Sequence, residues 1–246
     1  MRKIFTLIFA LVVCAGTMFA DSGKCGDHLT WTLNDGVLTI SGTGAMWDYD
    51  SEDPTWTPYI ASIKSVVIEN GVTSIGSYAF DGCEAMTTVD IPNSVTVLED
   101  AAFARCKALT SVTIPDNVTS IGSWAFQDCL ALTTVKIGSG VTELGNSAFA
   151  ECSAITSITC NALTPPTCGD DCFLNVKKSI PVYVPKGTGA NYGKAVGWEA
   201  FTNIQEATAL EGVQSTEYRV QKVLRNGQMY ILRDGKTYGV TGVEVR

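Results

Sequence analysis

The chain has 246 residues, of which 46% are hydrophobic and 17% charged, so a packed core is feasible and wholesale disorder is excluded. The formal net charge is −8. Because proteins that bind phosphate backbones need clustered Lys and Arg, this acidity argues against nucleic acid as a partner and is explained by solubility.

Residues 1–20 have the form of a secretory signal peptide, with a basic start, a short apolar run and small residues toward the end. The apolar run is too short to span a bilayer, so we expect an exported mature chain without a membrane span. Cleavage after Gly16 and cleavage after Ala20 both stay open. Cys14 offers a lipoprotein alternative, which the bulky Val13 before it disfavours.

Residues 21–60 predict an N-terminal β cap. Two β-rich runs flank residues 34–36 (NDG), a strong hairpin signal. We expect three aromatic side chains, Trp31, Trp47 and Trp56, to pack over the first coil of the region that follows. The alternative is that these tryptophans form an exposed carbohydrate site.

Residues 61–187 repeat with a period of 23 residues, which marks a stacked solenoid. Four full units share an Ala-Phe pair followed by a Cys. These positions predict a core ladder, formed by Phe80, Phe103, Phe126, Phe149, Cys83, Cys106, Cys129 and Cys152.

Each unit predicts one coil of three parts. The pattern L-x-x-V-x-I alternates with β-branched residues and predicts a strand, which Pro or Gly then ends. V-T-x-L/I-G predicts a second extended stretch. A-F-x-x-C has helical spacing and predicts a short helical or 3-10 segment. The fold class is therefore mainly β, with parallel strands in 23-residue coils.

The laddered cysteines are expected to be buried free thiols. One position repeated per coil stacks at about 4.8 Å, but parallel Cβ vectors suit the twist of a disulfide poorly. A buried free thiol behaves as a small hydrophobe. Outside the ladder, the pairing of Cys25 and Cys160 stays open, and Cys168 and Cys172 could pair.

The repeat resembles the BspA-like, or treponemal-type, leucine-rich repeat proteins of bacterial surfaces. The resemblance rests on residues 75–80 (IGSYAF), Cys83 and residues 86–92 (MTTVDIP), recurring in register over about 61–187. It implies a leucine-rich-repeat solenoid on an exported or outer-surface protein. The family includes adhesins that engage extracellular matrix proteins, so it also implies a role in adhesion.

The C-terminal part divides into three segments. Residues 188–206 predict a capping helix with Trp198 and Phe201 on its inner side, and residues 207–216 a linker. Residues 217–246 predict a β-hairpin tail. The tail resembles the sorting tails of type IX secretion, and a hairpin that only covers a sheet edge is the alternative.

The sequence offers little for catalysis. His28 is the single histidine and no Cys-x-x-Cys pair is present, so neither a metal site nor a catalytic, cofactor-binding centre is expected. We therefore predict a protein that is not an enzyme and needs no cofactor.

The candidate partner-binding surface is the outward side of the predicted sheet, because residues on either side of the inward Val point away from the core. A second candidate is the variable column before each Ala-Phe. The candidate residues are Thr88, Asp90, Ser111, Thr113, Thr134, Lys136, Ser157 and Thr159 on the sheet, with Tyr78 and Trp124 in the column.

The sequence thus favours a secreted or cell-surface protein that binds an extracellular or host surface protein. One alternative is a carbohydrate-binding surface module that uses Trp31, Trp47 and Trp56. Another is a structural spacer in a surface assembly.

Overall fold

The computed structural model describes residues 21–50 and 53–207, together with the backbone of three strands between residues 221 and 239. The predicted signal peptide lies outside the described residues. The helical segments of the described chain are a 3-10 helix (Thr57–Ser62) and α1 (Gly189–Tyr192).

The strands, in chain order, are β1 (Asp21–Lys24), β2 (Leu29–Asn34), β3 (Val37–Gly42), β4 (Gly44–Ala45), β5 (Ser65–Ile68), β6 (Val72–Ile75), β7 (Thr88–Asp90), β8 (Val97–Leu98), β9 (Ser111–Thr113), β10 (Ser120–Ile121), β11 (Thr134–Ile137), β12 (Glu143–Leu144), β13 (Ser157–Cys160), β14 (Thr167–Cys168), β15 (Pro181–Val184), β16 (Asn203–Glu206), β17 (Gln221–Arg225), β18 (Gln228–Arg233) and β19 (Lys236–Gly239).

The repeats form a β-solenoid of about six coils, which confirms the predicted fold class. The L-x-x-V-x-I strands stack in parallel along one side, as the pair β5-β7 and the set β9-β11-β13-β15. The first sheet extends into the N-terminal cap in the order β1-β2-β3-β5-β7, in which β1, β2 and β3 pair antiparallel, and the second ends on β16. The V-T-x-L/I-G stretches form a second parallel side, of order β4-β6-β8-β10-β12-β14. Strand residues pair one period apart, as Val135 with Val112, so every coil buries the same positions.

An aromatic stack runs along the core. Phe103 and Phe126 stack with ring centroids 5.3 Å apart, and Phe126 and Phe149 with centroids 5.2 Å apart. Trp56 stacks on the N-terminal end of this row, and Phe173 continues it at the other end. The four repeat phenylalanines are fully buried, so each coil uses the ring of the next coil to complete its core.

The A-F-x-x-C segments are turns. The prediction of a short helical segment in each repeat is therefore wrong. Two positions per coil have positive φ, which interrupts a right-handed helix. Buried residues three apart therefore arise here from successive turns, as in the bond from the Cys83 N–H to the Phe80 carbonyl. The first column of positive φ contains Tyr78, Ala101, Trp124, Ser147 and Asp171, and the second contains Gly82, Arg105, Asp128, Glu151 and Asn175.

The substitution Ser147→Gly is expected to raise the free energy of unfolding by about 0.5–1 kcal/mol, because glycine adopts a positive φ without the strain that a Cβ creates. Ser147 has φ of 53° and is half-buried. Ser157→Gly is the matched control, since Ser157 is also half-buried but lies in β13, where glycine costs about 0.5–1 kcal/mol. Urea unfolding measures both, and equal losses in the two variants would contradict the expected relief of strain.

The repeat cysteines lie inside the solenoid as free thiols. The Cys106 thiol donates to the Phe80 carbonyl at 3.2 Å, and the Cys152 thiol donates to the Phe126 carbonyl at 3.0 Å. Each thiol thus satisfies a backbone carbonyl in a neighbouring coil while it fills a small space beside the aromatic stack.

Threonine hydroxyls link the coils at the surface. The Thr133 hydroxyl donates to the Thr110 carbonyl at 2.9 Å, and the Thr119 hydroxyl donates to the Thr96 carbonyl at 3.2 Å. Because the same bond recurs from coil to coil, the threonine of the V-T motif has a structural role that does not involve a partner.

The N-terminal cap contains the predicted hairpin. Strands β2 and β3 pair antiparallel around Asp35 and Gly36, whose φ values of 49° and 83° suit a tight hairpin turn. Strand β3 then pairs in parallel with β5, so the cap continues the first sheet of the solenoid.

The C-terminal cap differs from its prediction. Helix α1 has only four residues, and turns follow it. Trp198 and Phe201 are buried against Phe173, so the aromatic covering is present without a long helix. Strand β16, which the sequence did not predict, pairs in parallel with β15. Strand pairing and aromatic packing close this end of the stack.

The tail contains three antiparallel strands in the order β17-β18-β19. Strands β18 and β19 flank the Asp-Gly pair at which the sequence predicts a hairpin. Strand β17 is an addition that the sequence analysis did not predict.

Candidate protein-binding surface

The outward side of the L-x-x-V-x-I strands forms two regular columns, which we call the sheet face. Its members are Ser65, Thr88, Ser111, Thr134 and Ser157 in one column and Val67, Asp90, Thr113, Lys136 and Thr159 in the other. Within each strand the residue between the two columns points into the core, as the buried Val135 does between the exposed Thr134 and Lys136.

The centre of the sheet face is exposed and carries one charge of each sign. Asp90, Thr113 and Lys136 occupy the same position in three successive coils, so the acid and the base lie about two coil steps, roughly 10 Å, apart. Lys136 pairs directly with Thr113, whereas β7 with Asp90 and β9 with Thr113 belong to separate sheets that lie side by side. Neither charge belongs to an ion pair within the part of the chain described, so both are free to pair with a partner. Apart from Val67, the other members of the two columns are Ser and Thr, whose small side chains leave the backbone surface open to close approach.

The structure extends the sheet face beyond the predicted columns. Val37 and Thr39 continue it at the N-terminal end, because β3 pairs with β5. Tyr183 continues it at the other end, beside Thr159, and is 37% exposed. Tyr183 lies in β15, where the alternation of apolar and polar residues could have revealed it from the sequence. The pairing of β3 with β5 could be seen only in the structure.

The second candidate column lies at a corner of the coil, outside the sheet face. Trp124 is 42% exposed, Tyr78 is half-buried, and Ala101 lies between them in the intervening coil. The Ala101 N–H donates to the Ser123 carbonyl at 2.8 Å, and the Trp124 N–H donates to the Asn146 carbonyl at 2.8 Å. These bonds hold the column in register along the solenoid.

Trp31 and Trp56 pack over the first coil as expected, so the alternative of an exposed carbohydrate site is wrong for these two. Trp31 and Trp56 pack edge to face within the core, and the Trp56 indole donates to the Ala79 carbonyl at 3.1 Å. Only Trp47 of the three remains exposed, with its indole bonded to Asp27 at 3.2 Å. Two of the rings complete the core at the open end of the stack, so they cannot form a shared platform for a sugar.

His28 and the laddered thiols are the groups to consider for metal binding or nucleophilic chemistry. His28 is exposed in the N-terminal cap, and the described residues contain no group of three His, Cys, Asp or Glu side chains that could hold a metal ion. Burial raises the pKa of the Cys83 thiol to about 12, so this thiol stays protonated and non-nucleophilic at neutral pH.

A cavity of about 470 Å³ lies between the last coil and the C-terminal cap. Cys168, half-exposed, and Cys172, buried, both line it as free thiols, so the pair that the sequence suggested is not bridged in this structure. Burial lowers the pKa of Lys178 in the same cavity, and its ammonium donates to the backbone carbonyls of Phe173 and Val176. The Lys178 ammonium thus satisfies backbone carbonyls at the C-terminal end of the solenoid.

This fold is that of a leucine-rich-repeat solenoid, with about six stacked coils. The family model for the BspA type leucine rich repeat region matches residues 59–187 in six copies, slightly more than half of the chain. The protein therefore belongs to the BspA-type leucine-rich repeat family, as its resemblance implied.

Solved structures of bacterial leucine-rich repeat proteins are similar to this chain. A leucine-rich repeat protein from Eubacterium ventriosum is 26% identical, with a TM-score of 0.53, over 90% of this chain and 49% of its own. The chain thus spans about half the length of that protein. The leucine-rich repeat protein of T. pallidum is 20% identical, with a TM-score of 0.41, over 67% of this chain and 87% of its own. The pneumococcal vaccine antigen PcpA is 17% identical, with a TM-score of 0.46, over 69% of this chain and 51% of its own.

A search of curated proteins found no significant match. BspA-like leucine-rich repeat proteins are usually exported or located at the surface. Among the residues that the structure describes, no helix has the length and apolar character needed to cross a bilayer.

Proposed function

We propose that this protein is an exported, non-enzymatic adhesin that binds an extracellular or host surface protein through its sheet face. The observation that supports this most directly is the register of the face, in which small polar residues surround Asp90 and Lys136 over several aligned coils. The sheet face is an extended array of exposed side chains, and such a surface suits a protein partner better than a small molecule.

The charges at the centre indicate how a partner is oriented. Since Asp90 and Lys136 are both exposed and lie about two coil steps apart, they favour a partner that places a base and an acid at a similar spacing. Exposed ion pairs contribute more to orientation and association rate than to affinity. Contact with the tyrosine at the end of the face, Tyr183, adds a residue type that is enriched in protein interfaces.

A triple variant with Asp90→Tyr, Thr113→Trp and Lys136→Tyr is expected to weaken binding to immobilised extracellular matrix proteins at least tenfold. Large rings at these positions prevent close approach, yet aromatic residues are well tolerated in strands. Surface plasmon resonance measures the binding, and thermal unfolding confirms that the variant folds. Glu143→Trp is the matched control, because Glu143 is an exposed strand residue on the other sheet. Equal binding by the triple variant and the wild type would remove the sheet face from consideration.

Export is part of the same proposal. The signal peptide at residues 1–20 would direct the chain out of the cytoplasm, and the tail at 217–246 would act as a sorting signal. Removal of the tail separates sorting from edge covering. If cell fractionation finds the shortened protein at the surface in the same amount, the sorting role is refuted and the tail only covers a sheet edge.

A further inference from the structure

A notch of about 210 Å³ lies at the corner of the solenoid where Tyr78 and Trp124 project. Both residues belong to the first column of positive φ, two coils apart, and Ala101 occupies the same position in the coil between them. The methyl side chain of Ala101 leaves open the space that a larger residue would fill. The residues that line the notch are Tyr78, Asp81, Ala101, Ala104, Arg105, Trp124 and Gln127.

The width of the notch suits a single ring. Two coil steps of about 4.8 Å place the backbones of Tyr78 and Trp124 roughly 10 Å apart. A non-bonded contact between carbon atoms needs about 3.5–4 Å on each side. The separation of the two backbones therefore leaves room for a group the thickness of one saturated ring above the floor of Ala101 and Ala104, both of which are buried.

Polar groups border this apolar space. The guanidinium of Arg105 pairs with Asp81, whose side chain is only 13% exposed, so the arginine is anchored from below. The Arg105 side chain is itself 59% exposed, and a guanidinium has five N–H donors, of which the ion pair uses only some. The amide of Gln127 adds one acceptor and two donors at the same border.

We propose that this notch binds the terminal pyranose ring of a glycan. A pyranose presents C–H groups on its faces and hydroxyl groups around its edge. The C–H faces suit the aromatic walls of Tyr78 and Trp124, because aromatic faces carry partial negative charge. Each hydroxyl both donates and accepts hydrogen bonds, so the edge suits the donors of Arg105 and the mixed amide of Gln127.

A protein side chain is the competing occupant, and the border of the notch favours the sugar. An aliphatic or proline side chain would fill the apolar space but would offer no partner to Arg105 and Gln127, whose hydrogen bonds to water would be lost on docking. A sugar makes apolar contacts with the floor and walls of the notch and hydrogen bonds with the groups at its border. The site lies outside the sheet face, so this proposal goes beyond the proposed protein-binding function and does not depend on it.

Binding of the purified protein to an array of glycans with different terminal pyranoses tests the proposal, followed by titration of the best soluble oligosaccharide. Nuclear magnetic resonance of the tryptophan indole N–H groups is the second readout, since it reports each of the five tryptophans separately. We expect the Trp124 signal to shift and the signals of the buried tryptophans to stay. Trp124→Ala is expected to weaken binding at least tenfold.

Two matched pairs of variants control the result. Trp47→Ala removes another exposed tryptophan, 40% exposed, and is expected to leave binding unchanged. Ala101→Asn introduces a residue type that tolerates the positive φ of this position and fills the notch, and is expected to abolish binding. Ala101→Gly keeps the notch open and is expected to bind as the wild type does. Thermal unfolding of all four variants separates loss of the site from loss of the fold.

Three outcomes would overturn the proposal. The first is the absence of glycan binding both on the array and in titration with the free sugars. The second is glycan binding that Trp47→Ala abolishes and Ala101→Asn does not. The third is a notch that binds proline-rich or aliphatic peptides, loses them in Trp124→Ala and binds no glycan. The sheet-face triple variant keeps its glycan binding if the two sites are separate. Failure of the glycan proposal can therefore be distinguished from failure of the protein-binding proposal.

Discussion

Replacing Phe126 with alanine is expected to lower the free energy of unfolding by about 3–5 kcal/mol. The Phe126 ring is fully buried and stacks on both neighbours, Phe103 and Phe149, at centroid distances of 5.3 and 5.2 Å. Its removal opens a cavity in the middle of the array, where the coils on both sides depend on it. Because each coil contacts only its neighbours, nothing farther away can compensate for the loss.

Urea unfolding followed by circular dichroism measures the effect of Phe126→Ala. Leu130→Ala is the control from the same coil, since Leu130 is 46% exposed and its truncation is expected to change stability by about 0.5 kcal/mol or less. Phe126→Leu should fall between them, because leucine fills part of the volume without the stacked ring. If Phe126→Ala costs no more than Leu130→Ala, the aromatic stack does not hold the coils together.

The periodic core could be read from the sequence because one physical requirement repeats in every coil. A residue that is buried once must be buried again 23 positions later, so the phenylalanine and cysteine positions follow from the period alone. The NDG turn likewise has few alternatives, since Asp35 and Gly36 both reach positive φ readily. In these places local preference and stacking agree.

The corner turns could not be predicted, because there stacking overrides local preference. Tyr78 and Trp124 have φ of 57°, a conformation that neither residue type favours. In the second column Gly82, Asp128 and Asn175 are residue types that tolerate positive φ, but Arg105 and Glu151 are not, so the column gives no consistent sequence signal. The spacing of Phe80 and Cys83 fits a helix as well as a pair of turns, so the pattern of burial alone could not separate the two.

The candidate sites differ in the same way. The alternation of a strand fixes which residues face outward, so the sheet face around Thr113 follows from the sequence. The notch beside Trp124 depends on the small residue Ala101 in the adjacent coil and on the ion pair between Asp81 and Arg105. These contacts involve different positions in three successive coils, and the repeat pattern does not specify how such positions meet.

Alkaline pH is expected to unfold the protein cooperatively under reducing conditions, near pH 10, because the core contains buried thiols that resist ionisation. Burial raises the pKa of Cys25 and Cys83 from the ordinary value of 9.0 to about 12. Burial also raises the pKa of Cys106 and Cys160. A hydrogen bond to the neighbouring Cys152, together with burial, raises the pKa of Cys129.

The sign of the pH dependence follows from where the protons are held. In the unfolded chain these thiols lose their protons as the pH passes about 9, whereas in the folded chain they keep them. The unfolded state then binds fewer protons, so the free energy of unfolding falls as the pH rises. For Cys83 the contribution is complete below pH 9 and is lost progressively between 9 and about 12. Each such thiol costs roughly 1 kcal/mol at pH 10, so the group together removes several kcal/mol of the 5–15 that is typical of a folded domain.

Urea midpoints at pH 8, 9 and 10, with a phosphine reductant present throughout, measure this dependence. The variant that carries Cys106→Ala and Cys129→Ala is expected to be less stable at pH 8, because it loses packing, but to lose stability less steeply as the pH rises. Tyr49 is a second buried acid, but its ordinary pKa of 10.0 keeps it from contributing strongly below that pH. Val118→Ala is the matched control, since it removes a buried apolar side chain that carries no ionisable proton and should leave the slope unchanged. An identical slope in the double variant and the wild type would show that the buried thiols are not the source of alkaline instability.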